Sequence, residues 1–147
     1  MATTNAATTY LENKLLSLIF KNNAGSFSTP GNNLYVGLAT AVSNAEAGTL
    51  TEVNTSTQDA NYTRKQVTAA NWTQASSSTD AQTVTNAANI EFSASSGVAT
   101  YTVTHAFIAD ASSSGNILFV GALDVNKAIA SGDIFRINAG NLTIELK

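Results

Sequence analysis

Apolar residues at Leu11, Leu15 and Leu18, and at Leu16, Ile19 and Phe20, recur at spacings of three and four, the period of a helix with a wide apolar face. Thr9 and Glu12 stand at capping-box spacing: the Thr9 hydroxyl can accept the Glu12 amide, and the Glu12 carboxylate can reach back to the Thr9 amide. Asn22-Asn23-Ala24-Gly25 supplies residues that tolerate left-handed backbone, so an amphipathic helix is expected over 8–22. Such a helix needs a surface to pack on.

After Pro30-Gly31 the period drops to two. Leu34, Val36 and Leu38 alternate with Tyr35, Gly37 and Ala39, the pattern of a strand with one large-residue and one small-residue face. Alternating runs recur at Tyr62–Val67, Asn89–Ser93, Val98–Ala109, Asn116–Leu123, Ile134–Ile137 and Leu142–Lys147. In Val98–Ala109 the alternation puts Tyr101, Val103, His105 and Phe107 on one face, and the threonines with Ala106 and Ile108 on the other. Asp110–Gly115 and Asn138–Asn141 have turn composition and are expected to close hairpins between consecutive runs. The fold class that follows is mainly β: an antiparallel, jelly-roll-like β-sandwich of about seven or eight short strands with one N-terminal amphipathic helix. Residues 1–147 are read as a single domain, with the sandwich over 33–147.

Two stretches, 41–60 and 73–88, are rich in Thr, Ser, Ala and Asn and read as long polar loops. Their few apolar anchors, Val42, Leu50, Val53 and Val84, are the candidate protein-interface positions, because such segments bury too little of their own surface to offset the entropy of ordering.

Composition narrows the function. Ala, Ser, Thr and Asn make up half of the chain, and charged residues only 12%. Solubility therefore rests on hydroxyls and amides. A net charge of −3 with seven dispersed Lys and Arg offers no basic stripe for phosphates, so nucleic acid is not an expected partner. Without cysteine there is no disulfide framework, thiolate metal site or thiol nucleophile. The opening residues lack the pattern of a signal peptide, and Leu15–Phe20 is far shorter than the ~20 residues that span a bilayer, so no membrane partner is expected.

Catalytic signals are equally sparse. His105, the only histidine, lies in a strand between Tyr101 and Phe107 and reads as a packed residue with one hydrogen bond. No G-x-S-x-G elbow or glycine-rich phosphate loop is present, and Asp124-Val125-Asn126 opens like a calcium loop without its glycine and distal glutamate. No enzyme, metal or cofactor is expected. Gly37 and Gly121, inside strands, point to close backbone approach. Four Asn-x-Ser/Thr sequons, at Asn54, Asn61, Asn71 and Asn141, are what chance provides in so Asn- and Thr-rich a chain. Trp72, Tyr35, Tyr62 and Tyr101 are candidates for stacking on sugar rings, with core packing the stronger expectation, and Glu46 with Glu52 is the one acidic pair worth inspecting for hydrolysis.

The order of short motifs carries more than any of them alone: Tyr10–Leu16; Leu34–Leu38; Glu52 followed by Asn61-Tyr62-Thr63-Arg64 and Trp72; Asn86 with Ile90-Glu91-Phe92; Thr102–Ile108; Gly115–Leu123; Ala139–Ile144. The set resembles a family of small virion proteins of tailed bacteriophages, often labelled tail fibre and similar also to head decoration or cement proteins. It departs from the family pattern at Asn61, where a glycine is usual. The resemblance implies a structural virion protein with no catalytic residues, made in the host cytoplasm. Its expected role is a cement protein on the outer head surface that binds the major capsid protein and itself as a homotrimer or other symmetric oligomer; the alternative is a tail fibre or adhesin. Few charges suit contacts that persist across changes of salt.

Overall fold

The computed structural model describes residues 6–21, 33–74 and 82–146. β1 (Ala6–Ala7) leads into helix α1 (Thr9–Lys21), and ten strands follow. They are β2 (Leu34–Asn44), β3 (Thr49–Glu52), β4 (Lys65–Val67), β5 (Trp72–Gln74), β6 (Gln82–Asn86), β7 (Ile90–Glu91), β8 (Tyr101–Ala109), β9 (Ile117–Ile129), β10 (Arg136–Ile137) and β11 (Thr143–Leu146). Every pairing is antiparallel. A six-stranded sheet runs β1-β9-β8-β2-β3, with β4 also on β2; β10-β7 and β11-β6-β5 form two smaller sheets. The result is a set of curled, sandwich-like antiparallel sheets with one helix near the N-terminus.

The larger core lies on the face of the main sheet that carries Val36, Leu38, Val103 and Ile108, and it gathers Val67, Ile90, Phe92 and Ile137 from the other strands. The opposite face holds a smaller core of Ala39, Ala45, Phe107, Ala109 and Val120. β8 serves both. Its pairing steps from Val103 opposite Lys127 to His105 opposite Ala122, so Leu123–Asn126 form a wide bulge with no β8 partner. At the same point the alternation on β8 itself reverses, between Val103 and Ala106. Tyr101 and Val103 share the larger core with Ala106 and Ile108, whereas Phe107 turns to the smaller one. The expected single face of Tyr101, Val103, His105 and Phe107 is therefore split at the bulge.

Phe107 lies flat over Gly37, its cross-strand partner, where any Cβ would collide with the ring. Gly37 thus marks a close approach, as expected; Gly121 does not, because nothing lies within 4 Å of the space a Cβ would take there.

Both expected loops carry strand. In 41–60, β2 continues to Asn44 and pairs with β3, setting Val42 opposite Leu50. The Thr40 and Ser43 hydroxyls donate to the Thr51 and Thr49 carbonyls. Asn54 then holds a tight turn by accepting the Ser56 and Thr57 amides on Oδ1. Small polar side chains satisfy the backbone here, so the segment orders without many apolar anchors. In 73–88, β6 is the central strand of its sheet, with Val84 between Gln74 and Ile144. These additions raise the count to eleven strands among the described residues.

The hairpin expected across Asp110–Gly115 forms, with the Asp110 carboxylate accepting the Asn116 amide at 2.7 Å and its side chain at 2.8 Å. The one expected across Asn138–Asn141 does not: β10 pairs with β7, and β11 with β6. Buried Asn86 captures that turn instead. Its carbonyl accepts the Gly140 amide, its Nδ2 donates to the Asn138 carbonyl, and its Oδ1 accepts the Leu142 amide.

The helix is capped one residue earlier than expected. Buried Thr8, not Thr9, accepts the Leu11 amide on Oγ1 at 3.4 Å while its hydroxyl donates to the Ile117 carbonyl at 2.6 Å. Strand pairing of Ala6 and Ala7 with β9 fixes Thr8 against the sheet and leaves Thr9 exposed. The Asn22-Asn23-Ala24-Gly25 stop lies outside the described residues. Thr8→Ala should cost about 1–2 kcal/mol of stability in denaturant unfolding, whereas Thr9→Ala should stay within about 0.5 kcal/mol.

Candidate functional site

Several polar side chains of the β-rich part turn inward, and the motif Asn61-Tyr62-Thr63-Arg64 shows how. Arg64 meets Glu52 in a bidentate pair, Nε to Oε1 and Nη2 to Oε2, both at 2.8 Å. Its Nη1 donates to the carbonyls of Ala111 and Ser114, each at 2.8 Å, and its guanidinium stacks 5.0 Å from the centre of the Phe107 ring. Tyr62 donates its hydroxyl to Glu52 Oε1 at 2.8 Å and accepts the Leu38 amide at 2.9 Å. The hydrogen bond to Glu52 raises the Arg64 pKa further, and burial pushes the Tyr62 phenol far up. Both carboxylate oxygens of Glu52 are thus engaged by Arg64 and Tyr62, a clamp on the 110–115 turn rather than an acid–base pair.

Asp59 is a second buried hub. It accepts the amides of Asn61 and Ser96 and the Tyr101 hydroxyl, at 3.0, 2.9 and 3.0 Å. Burial pushes its carboxyl up, but these donors outweigh that and hold it below its ordinary 3.8. Burial also pushes the Tyr101 phenol up. Among isolated acids Asp59 carried no signal in the sequence beyond its place two residues before Asn61.

His105 sits beside the bulge. Its Nδ1 is 2.7 Å from Thr104 Oγ1, while the buried Nε2 has no partner among the described residues. Desolvation lowers its pKa below 6.5, so the ring is neutral at pH 7.

The remaining candidates separate. Val53 is buried in the larger core, Val42 and Leu50 pack against the smaller one, and Val84 is half-buried in β6. Trp72 packs partly buried on the larger core with Nε1 donating to the Val67 carbonyl at 3.4 Å, and the hydroxyls of Tyr62 and Tyr101 are occupied internally, so all three rings take part in core packing. Glu46 lies in the β2–β3 turn and receives the Thr9 amide on its carbonyl. No group of three His, Cys, Asp or Glu is placed to hold a metal among the described residues.

What sequence reading missed is a groove. It opens over about 830 Å³ between β9, with its bulge, and β10–β11, and is lined by Phe119, Leu123, Val125, Phe135, Leu142 and Ile144. These residues are far apart in the chain, so no local pattern announces the groove. It is half apolar, and Asp124, Lys127, Arg136 and Glu145 also line it, a mixture of apolar and charged groups of the kind found where proteins meet.

Compared with known families, residues 6–145 match the one described as Podophage GP4 fiber I protein gp80. No curated protein matches the chain.

Two of the shifted groups, His105 and Asp59, destabilise the fold on acidification. His105 favours its neutral form, so its contribution is lost as pH falls below the ordinary 6.5 and through its lowered pKa. Asp59 favours its ionised form, so its contribution is lost as pH falls below 3.8. Denaturant midpoints measured from pH 8 to 3 should fall in two steps. His105→Gln should flatten the first, and Asp59→Asn the second.

Proposed function

Because the chain belongs to the podophage GP4 fiber I protein gp80 family, we propose that it is a structural subunit of a phage virion fibre, assembled as a symmetric homo-oligomer, a trimer in the simplest case. The family is one of structural fibre proteins, not of enzymes. The observation that carries the reading is the extent of the match, which spans all of the described strands but for the last residue of β11. The interior agrees with it: Glu52, Arg64 and Asp59 are used to fasten loops, as a scaffold requires. Few surface charges leave subunit contacts to apolar and neutral hydrogen-bonding groups.

A second reading is a cement protein on the head surface, in contact with the major capsid protein. It draws support from the described architecture, in which short curled sheets and a single helix of 13 residues stand where a fibre shaft would need long repeats or heptads. Copy number separates the two. Quantitative mass spectrometry against the major shell protein, together with antibody labelling of intact particles, should give a handful of copies per virion and label on projecting fibres. A copy number close to that of the shell protein, with label over the head, would overturn the fibre reading in favour of cement.

A further inference from the structure

Thr104 and His105 stand where the two stretches of the β8–β9 ladder meet. Val103 pairs with Lys127 on one side and His105 with Ala122 on the other, so Thr104 alone spans Leu123–Asn126 of β9. Leu123, Asp124 and Val125 of that segment also form part of the groove wall. The Thr104 hydroxyl donates to the Ala39 carbonyl on β2 at 3.4 Å and stands 2.7 Å from His105 Nδ1. A hydroxyl has one proton to give. Given to Ala39, it leaves Thr104 Oγ1 to accept from an Nδ1–H; given to the ring, it forces the ring's own proton onto Nε2, which is buried without a partner among the described residues. The first arrangement leaves only an unused lone pair at Nε2. The second leaves an N–H, the group that folded chains least often leave unmet. The network therefore places the proton of the neutral ring on Nδ1.

We propose that Thr104 and His105 form an acid-operated latch on the bulge: a second proton on the ring releases Leu123–Asn126 and with them one wall of the groove. That proton adds a charge and an N–H at Nε2, where no acceptor stands. The charged groups that neighbouring strands bring nearest in register do not receive it. Glu52, on β3 opposite Ala39, has both oxygens engaged by Arg64 and Tyr62. On β9, Asp124 is exposed in the bulge with Lys127 three residues on, and β2 presents only Ala39. The ring's one hydrogen bond among the described residues is the contact with Thr104. A charged ring must therefore move to reach water, and the adjoining chain with the fewest restraints is Leu123–Asn126, which makes no rung with β8 and is exposed from Asp124 onward. The other end of β8 stays in place, because Arg64 holds the 110–115 turn. The latch is a property of the single chain, so it stands apart from the fibre and cement readings.

His105 is the chain's only histidine, so its ring nitrogens can be read by NMR without assignment. In the full-length protein at about pH 7.5 they should show a neutral ring with its proton on Nδ1. Hydrogen exchange read by mass spectrometry, corrected for intrinsic rates, should show protection over 121–127 falling several-fold between about pH 7.5 and about pH 4.5, while 34–38 and 106–108 keep theirs. That range lies above the one in which Asp59 gains its proton. His105→Gln, which gains no charge, should keep 121–127 protected throughout. Thr104→Val, which removes the hydroxyl that holds Nδ1, should lower protection over 121–127 already at about pH 7.5. A neutral ring with its proton on Nε2 would overturn the proposal. So would a loss of protection shared by the whole chain, no loss at all, the same loss in His105→Gln, or unchanged protection in Thr104→Val.

Discussion

Arg64 is the group on which the rest of the molecule depends. From one guanidinium it reaches the end of β3 through Glu52, the turn between β8 and β9 through two carbonyls, and the smaller core through the face of Phe107. Its side chain is 6% exposed and that of Glu52 29%, so removal of either partner leaves a charge with little water to replace it. The same ring of Phe107 lies over Gly37, which lets β2 and β8 approach closely beneath the clamp. In a chain where half the residues are small and neutral, a few polar side chains that each hold several backbone groups fix what large apolar residues fix elsewhere. Asp59 and Asn86 apply the same solution at two other loops.

Legibility in the sequence follows from how local each signal is. The helix and the strand at Leu34–Leu38 were readable because their periods are carried by neighbouring residues. The polar segments read as loops because β3 is held by hydroxyl and ladder bonds to the neighbouring β2, and β6 by a ladder to distant β11, neither of which apolar periodicity registers. The cap slipped from Thr9 to Thr8 because the choice between adjacent threonines was made by β9, more than a hundred residues away. The face of β8 could not be assigned beyond Val103, since its alternation breaks at Thr104–His105, where the register with distant β9 shifts. The motif from Asn61 to Arg64 was visible; that it closes on Glu52 and the 110–115 turn was not, and neither was the groove, whose lining draws on residues from Ala6 to Glu145.

For function, the arrangement separates interior from surface. Charged side chains with firm partners hold the loops in place, whereas the surface features left over are apolar: the outer side of α1 and the groove beside β9. A protein built this way is stiff where a catalyst would be reactive.

The bulge on β9 separates two stretches of ladder that are each anchored on β8, one through Ala122 and the other through Lys127. Because Leu123–Asn126 contribute no rung, residues can be added or lost there without sliding either stretch out of register. Length beyond the core-packed Leu123 is therefore uncoupled from the register of the ladder, the condition that an insertion site for a displayed peptide requires.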